Sequence, residues 1–303
     1  MPSLSFDSPS FVHHMAALDN HPAPPNSLEA IQASLAAGAA FIEVDVNALA
    51  DNDYLLGHEA DLEAETSGQG PVIEYPSRQA RSLYIKHRGV NTRYPVALLS
   101  DVVTLFVNSY HPTYLQLDYK NVIPFSSDEP LYRLIKLIES LGSRVIVSSG
   151  ADWQLRRLRK IAPWLNLGLD IMWYISWQPA NEPRDPRDFP KQLGVYGYYD
   201  DHILSTEVHW PVAEYLRDRC ESLLRIVPDT GVFYLDHNLV AQSLRDGFNW
   251  AEALHQEGIK LDAWTMDVTN PVAVQNLQPL SEAGVDLFTS NTPKALAALL
   301  NHN

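Results

Sequence analysis

The chain has 303 residues, enough for one large α/β domain or two smaller ones, and 46% hydrophobic residues supply a sizeable core. Its formal net charge of -15 argues against a nucleic-acid partner, because a phosphate backbone recruits basic surfaces. A small phosphate ester held by a metal and one or two local cations is compatible with that charge. The single cysteine, Cys220, excludes an internal disulfide and a cysteine-based zinc site.

The first residues, MPSLSFDSPSF, have neither the positive charge nor the long apolar run of a signal peptide. No run of about 18 apolar residues occurs, so we expect no transmembrane helix. We therefore expect a soluble, cytoplasmic protein.

The chain opens with a short predicted strand, Ser10–His14, that ends in two histidines. A proline-rich loop follows it. Asn26 or Ser27 then caps a predicted helix, LEAIQASLAAG, which ends at Gly38. This order of strand, loop and helix is the start of an α/β pattern.

The next strand alternates apolar and polar residues and places Glu43, Asp45 and Asn47 on one face. Two carboxylates on one face are expensive to bury unless they share a cation. A second apolar run, Tyr54–Gly57, then leads to His58. A half-exposed edge strand with its acids in solvent is the alternative interpretation.

Strands and helices alternate from here to the C-terminus, apart from a polar excursion at residues 63–95. The predicted helices are Leu98–Ser109, Leu131–Leu141, Ala151–Ile161, Val208–Cys220, Trp250–Gly258, Pro271–Ala283 and Pro293–Leu300. The predicted strands are Tyr114–Tyr119, Arg144–Ser149, Leu165–Asp170, Leu223–Val227, Val232–His237, Lys260–Met266 and Val285–Ser290.

About eight such units predict a TIM (β/α)8 barrel, and the absence of a composition break predicts a single domain over residues 1–303. No G-x-G-x-x-G follows a strand, which argues against a dinucleotide-binding fold. Residues 172–205 are rich in proline and aromatic side chains. We interpret them as an inserted loop over the barrel mouth.

Active sites of such barrels lie at the C-terminal ends of the strands, so polar residues there should converge. Each residue taken singly has a structural alternative as a helix cap or loop anchor. Together, Glu43, Asp45 and Asp118 predict an all-oxygen site for Mg²⁺ or Ca²⁺, with Mn²⁺ as a further candidate, rather than for Zn²⁺. Lys120 would offset the charge of a bound phosphate. The polar residues at predicted strand ends are His13, His14, Glu43, Asp45, Asp118, Lys120, Ser148, Ser149, Asp170, His237, Trp264, Asp267 and Ser290.

A set of short motifs occurs in one order along residues 10–297: a histidine at the first strand, Asn-Ser-Leu at a helix start, Ile-Glu-x-Asp-Val, and then His58. GQGPV, VIVSSGADWQLRRLRKIAPWLNLGL, AWTMD and GVDLFTS follow. This order resembles the glycerophosphodiester phosphodiesterases, a family of the PLC-like phosphodiesterase superfamily. Each motif is weak alone, whereas their common order is specific for the superfamily.

The resemblance implies a metal-dependent phosphodiesterase of lipid metabolism that hydrolyses glycerophosphodiesters to glycerol 3-phosphate and an alcohol. Two histidines would act as acid and base, and a hydroxyl of the substrate itself would attack the phosphorus. The histidines are His58 and one of His13 and His14, and strand register favours His14. The positions that match metal ligands are Glu43, Asp45 and Asp118, and those that match substrate-binding residues are Lys120 and Trp264.

The sequence departs from the family pattern at several positions. His13-His14-Met15 replaces His-Arg-Gly, so the phosphate-binding arginine is absent, and Pro24–Ser27 lacks the glutamate of Pro-Glu-Asn-Thr. Asp118 stands where the family usually has glutamate, and Asp267 where it has asparagine. The His-Met step and the Asp-x-Lys pair are similar to the sphingomyelinase D-like branch.

These departures leave three alternatives open. The first is a phospholipase D-like enzyme acting on lysophospholipid or sphingophospholipid headgroups, with the aromatic segment Trp173–Trp177 as an apolar approach to the metal. The second is an inactive binding barrel of the same fold. The third is another metal–carboxylate reaction on a barrel, such as enolisation.

Overall fold

Eight parallel strands close into a barrel in the computed structural model, which describes residues 4, 6, 9–51, 53–179 and 191–301. The strands in chain order are β1 (Ser10–His13), β2 (Phe41–Ala48), β3 (Tyr54–Leu56), β4 (Tyr84–His87), β5 (Val90–Pro95), β6 (Tyr114–Tyr119), β7 (Val145–Ser149), β8 (Asn166–Asp170), β9 (Ile175–Ser176), β10 (Tyr199–Asp200), β11 (Val232–Asp236), β12 (Lys260–Trp264) and β13 (Leu287–Ser290). The barrel runs β1-β2-β6-β7-β8-β11-β12-β13, and β13 pairs with β1 to close it. The predicted (β/α)8 barrel is confirmed.

Helices surround the barrel. They are α1 (Leu28–Ala36), α2 (Leu62–Glu65), α3 (Ser77–Ala80), α4 (Leu99–Val107), α5 (Glu129–Ile138), α6 (Asp152–Ile161), α7 (Val212–Leu224), α8 (His237–Arg245), α9 (Trp250–Gln256), α10 (Pro271–Glu282) and α11 (Pro293–Asn301). Each of the eight predicted helices overlaps one of them, whereas α2, α3 and α8 were not predicted. The cap expected at the first helix is Ser27, whose hydroxyl accepts a hydrogen bond from Ala30 N at 3.1 Å. In the described part of the chain, no helix combines the length and the apolar character needed to cross a membrane.

The structure corrects the sequence prediction between residues 223 and 245. Leu223–Val227 is not a strand, because Leu223 lies on the buried face of α7. The buried side chains of that face recur at helical spacing: Tyr215, Leu216, Arg219, Cys220 and Leu223. The sequence prediction also missed α8, which starts directly after β11. Asp236 caps it by accepting hydrogen bonds from Asn238 N and Leu239 N.

Strand β2 is buried along its whole length, which excludes the edge-strand alternative. Its interior-facing residues change character from one end of the barrel to the other. At the N-terminal end the Phe41 ring packs 4.8 Å from the rings of both Phe6 and Tyr114. Glu43 and Asp45 follow toward the C-terminal end. An aromatic plug therefore closes the floor, and the polar groups face the mouth.

Two insertions flank this mouth. Between β3 and α4 the chain forms the two-stranded sheet β4–β5 outside the barrel, as expected for the polar excursion. After β8, residues 172–179 and 191–205 are irregular apart from the antiparallel pair β9–β10 and a short 3-10 helix at Ile203–Ser205. Residues 180–190 of the predicted 172–205 loop lie outside the described residues.

A buried ion pair fastens the second insertion to α7. Arg219 Nε lies 2.5 Å from Asp200 Oδ2, and both side chains are almost fully buried. The Tyr215 hydroxyl donates a hydrogen bond to the same carboxylate oxygen at 2.6 Å. Removing one member of such a pair leaves an uncompensated buried charge.

We expect Asp200→Ala to lower the free energy of unfolding by about 3 kcal/mol, because Arg219 would lose its counter-charge. Urea denaturation followed by circular dichroism measures this change. Glu221→Ala is the matched control, since it removes the partner of the exposed Arg225 and should have little effect. Equal effects of the two variants would contradict this account.

Candidate active site

Three carboxylates meet at the C-terminal ends of β2 and β6. Asp45 lies opposite Asp118 in the parallel register of these strands, and Glu43 lies on the same inward face. One oxygen of each residue lies within 4.8 Å of the other two. Parallel pairing therefore brings together residues that are more than 70 positions apart in the sequence.

Lys120 neutralises two of these carboxylates. Its Nζ lies 2.9 Å from Asp45 Oδ1 and 2.5 Å from Asp118 Oδ2. Burial alone would lower the pKa of Lys120, but Asp118 and Asp45 outweigh it and raise that pKa well above its usual value. Burial likewise tends to raise the pKa of Asp45, but Lys120 and the histidines of the site bring it below its usual value. Both groups are therefore ionised at neutral pH.

Glu43 is left with an unsatisfied oxygen. Its Oε2 accepts a hydrogen bond from Met15 N at 2.7 Å, whereas its buried Oε1 has no partner among the described residues. Burial, Asp45 and Asp118 raise the pKa of Glu43 well above its usual value. A buried, unpartnered oxygen next to two further carboxylates fits a hard divalent cation, which would take oxygen ligands from all three residues.

His14 reaches this group from the end of β1. Its Nε2 lies 4.0 Å from Glu43 Oε2, and its Nδ1 lies 3.0 Å from Asn291 Oδ1. Asn291 donates through Nδ2 to Asp267 Oδ2 at 2.9 Å, so its Oδ1 is the acceptor that faces His14. The proton of a neutral His14 therefore sits on Nδ1, and Nε2 keeps a free lone pair. Burial lowers the pKa of His14, which favours this neutral form.

His58 lies at the rim of the same pocket. Its side chain is 50% exposed, and its Nδ1 lies 3.1 Å from Glu59 Oε1. The structure thus brings His14 and His58, which are distant in the sequence, to one cavity with the carboxylates.

His13 is placed elsewhere. It is almost fully buried, and its Nδ1 lies 2.9 Å from Ser34 Oγ, which itself donates to Ala16 O at 3.0 Å. This arrangement ties β1 to α1. His237 is also outside the pocket, where its Nδ1 accepts a hydrogen bond from Asn276 at 3.0 Å between α8 and α10.

The pocket has a volume of about 580 Å³. Six of the eight predicted site residues line it: His14, Glu43, His58, Asp118, Lys120 and Trp264. Asp45 does not line the pocket but contacts Lys120, which does. Asp170, another predicted strand-end residue, also lines it, and burial raises its pKa to about 7. Trp173 and Trp177 are not among its lining residues, so the described structure does not supply the apolar approach expected from that segment.

Sequence reasoning missed several residues of this site. Asn291 holds His14 and directly follows the predicted strand end Ser290, so extending the strand-end rule by one residue would have found it. Glu65, Met172 and Tyr234 line the pocket without a comparable signal. Glu65 and Met172 come from the two insertions, whose sequences have no regular hydrophobic pattern.

Comparisons with known proteins show the family of the chain. Residues 14–185, more than half of the chain, match the model of the glycerophosphoryl diester phosphodiesterase family. The chain belongs to this family. It is also 26% identical over 153 residues to a glycerophosphodiester phosphodiesterase from Caldanaerobacter subterraneus subsp. tengcongensis. That match covers 50% of this chain and 63% of the relative, so this chain matches less than two thirds of the relative's length.

Solved structures share the fold at low identity. A protein of Silicibacter pomeroyi DSS-3, provisionally described as a glycerophosphoryl diester phosphodiesterase, superimposes with a TM-score of 0.69 at 17% identity and covers 100% of this chain and 95% of its own. An Oleispira antarctica phosphodiesterase in complex with the product sn-glycerol-3-phosphate gives a TM-score of 0.64 at 16% identity, with 97% of both chains covered. At 16% and 17% sequence identity, these structural similarities show a shared fold and nothing more.

The burial of His13 predicts a pH dependence of stability. Burial lowers the pKa of His13 to about 4, below the usual value of about 6.5 in an unfolded chain. Between these values only the unfolded state binds the proton, so stability falls as the pH falls. We expect a loss of about 2 kcal/mol in the free energy of unfolding between pH 7 and pH 5 from this residue.

Urea denaturation at pH 7 and pH 5 measures this loss. His13→Gln should flatten the pH dependence, whereas His111→Gln, a change at an exposed histidine, should leave it as it is in the original chain. An unchanged pH dependence in His13→Gln would show that this histidine is not held neutral.

Proposed function

We propose that this protein is a metal-dependent phosphodiesterase that hydrolyses glycerophosphodiesters to glycerol 3-phosphate and an alcohol. The proposal rests on one observation: three carboxylates, Lys120 and two histidines lie together at one pocket at the barrel mouth. Family membership supports it, as does the sn-glycerol-3-phosphate bound to the Oleispira antarctica relative as a product.

The carboxylates of Glu43, Asp45 and Asp118 would hold one divalent cation, Mg²⁺ or Ca²⁺. Oxygen-only ligands suit these ions, and Mn²⁺ shares that preference. The ion, when bound, neutralises phosphate charge and lowers the pKa of a nearby hydroxyl. Lys120 is the one permanently cationic side chain among the described residues that line the pocket, and it contributes the second positive charge beside the phosphate.

His14 is the group suited to remove a proton. Its Nε2 carries a lone pair toward the pocket because Asn291 holds the proton on Nδ1. It accepts the proton of the glycerol hydroxyl next to the phosphate, and that oxygen attacks the phosphorus. His58 gives its proton to the departing alcohol oxygen. A cyclic glycerol phosphate forms, and the reverse proton transfers with a water molecule open it to glycerol 3-phosphate.

Hydrolysis assays on four diesters test this proposal and separate it from the lipid alternative. We expect turnover of glycerophosphocholine and glycerophosphoethanolamine that EDTA abolishes and added Mg²⁺ or Ca²⁺ restores. Turnover confined to lysophosphatidylcholine or sphingomyelin would favour the phospholipase D-like alternative. No metal-dependent turnover of any of the four would favour the inactive barrel.

Asp45→Asn should weaken the affinity for the divalent cation by about tenfold or more, because it removes a charged ligand. Isothermal titration calorimetry with MgCl₂ or CaCl₂ measures the dissociation constant. Asp170→Asn is the matched control, since it changes a pocket carboxylate outside the three-residue group. Equal affinities of Asp45→Asn and the original chain would remove Asp45 from the ligand set.

His58→Ala should lower kcat on glycerophosphocholine by about 10²- to 10⁴-fold while the cation still binds. A 4-nitrophenyl ester of glycerol phosphate needs no protonation of its leaving group. The loss should therefore shrink on that substrate. His111→Ala, an exposed histidine, should behave like the original chain. Near-normal activity of His58→Ala, or an equal loss on both substrates, would contradict its role as the acid.

A further inference from the structure

The position of His58 presents a physical problem. Its side chain is 50% exposed, and the Glu59 carboxylate, which lies 3.1 Å from its Nδ1, is itself 40% exposed. Packing therefore does little to hold the ring. An acid or base that is misplaced by about 1 Å can lose about 10²-fold in rate. Something other than side-chain packing must fix where His58 stands.

Glu65 binds the backbone on one side of His58. This residue ends α2, and its Oε2 accepts hydrogen bonds from His58 N at 2.6 Å and from Glu59 N at 3.0 Å. Hydrogen bonds to an ionised carboxylate are stronger than those between neutral groups. A Cβ added at Gly57 would lie 3.2 Å from the same oxygen, so the glycine gives the carboxylate room.

Asn47 binds the backbone on the other side. Its Nδ2 donates to Gly57 O at 2.8 Å and to Glu59 O at 3.2 Å. Asn47 is fully buried on β2, two residues after Asp45. Gly57 N in turn donates to Asp45 O at 3.2 Å. The loop is thereby tied to the strand that carries two of the proposed cation ligands.

We propose that Asn47 and Glu65 are positioning residues that clamp the backbone around His58 and set its ring against the carboxylate group. The clamp engages four backbone groups within three residues: Gly57 O, His58 N, Glu59 N and Glu59 O. It rests on the proposed function, because it gives His58 its place in the reaction. It also explains why a carboxylate and an amide, rather than apolar side chains, surround this loop.

Glu65→Ala tests the clamp. We expect kcat on glycerophosphocholine to fall about 10²-fold with KM changed little, since substrate and cation are held by other residues. Glu65→Gln keeps an oxygen that can accept both hydrogen bonds and should recover most of the loss. Glu63→Ala is the matched control, because Glu63 lies on the same helix with its side chain in solvent.

Asn47→Leu removes the other half of the clamp at nearly constant volume. It should lower kcat to a similar degree. The double variant Asn47→Leu/Glu65→Ala should lose less than the product of the two single losses, because either change already frees the loop. Fully multiplicative losses would contradict a common action on His58.

Amide hydrogen exchange gives a readout that does not depend on turnover. The amides of His58 and Glu59 should exchange at least tenfold faster in Glu65→Ala than in Glu63→Ala, while Mg²⁺ affinity is unchanged. If no diester is turned over, the proposed function fails, and this measurement still tests the clamp. Unchanged exchange and kcat in Glu65→Ala would overturn the clamp. So would parallel losses of kcat and Mg²⁺ affinity that Glu65→Gln does not repair.

Discussion

The gathering of three carboxylates at adjoining strand ends, two of them buried and Asp118 partly buried, is the constraint on which the rest of the site depends. Like charges at this distance raise each other's pKa, and burial adds to that effect, as the raised pKa of Glu43 shows. The chain meets the cost with one cation of its own, Lys120, which pairs with Asp45 and Asp118. Glu43 Oε1 is left without a partner among the described residues. A divalent cation would complete this charge balance, which is why the geometry and the donor chemistry lead to the same proposal.

The barrel interior is divided into an apolar N-terminal part and a polar mouth, and the charged groups of the site lie at the mouth. The N-terminal part of the interior is filled by Phe41 and its aromatic neighbours, so the floor is apolar and the strands are held there by side-chain packing. The side chains of the candidate site lie at the mouth, where water and a ligand can reach them. Parallel register then determines which residues meet. Asp45 stands beside Asp118 because β2 pairs with β6, although the first insertion, between β3 and α4, separates them in sequence.

Much of the fold and part of the site could be predicted because they follow from local patterns. Period-two alternation located β2, and the strand-end rule of parallel barrels identified Glu43, Asp45, Asp118 and Lys120. The helix at His237–Arg245 was missed because its first residue, His237, was assigned to the end of the preceding strand. Leu223–Val227 was mistaken for a strand because an apolar run at a helix end has no distinctive period. Glu65 could not be found from sequence, because its role depends on how an insertion folds back onto the loop at His58.

The departures from the family pattern acquire a physical meaning in this geometry. The chain lacks the arginine of the family's His-Arg-Gly motif, and in this segment the backbone N–H of Met15 donates a hydrogen bond to Glu43. Among the described residues that line the pocket, the phosphate can then meet only Lys120 as a permanent cation. Lys120 is already shared between two carboxylates. Under the proposed function, its charge would become available to a phosphate when a divalent cation takes over those carboxylates. We therefore expect the binding of cation and substrate to be positively coupled, because each ligand offsets the charge that opposes binding of the other. Under the proposed function, cation occupancy would thus prepare the place for the phosphate in a site that lacks a dedicated phosphate-binding arginine.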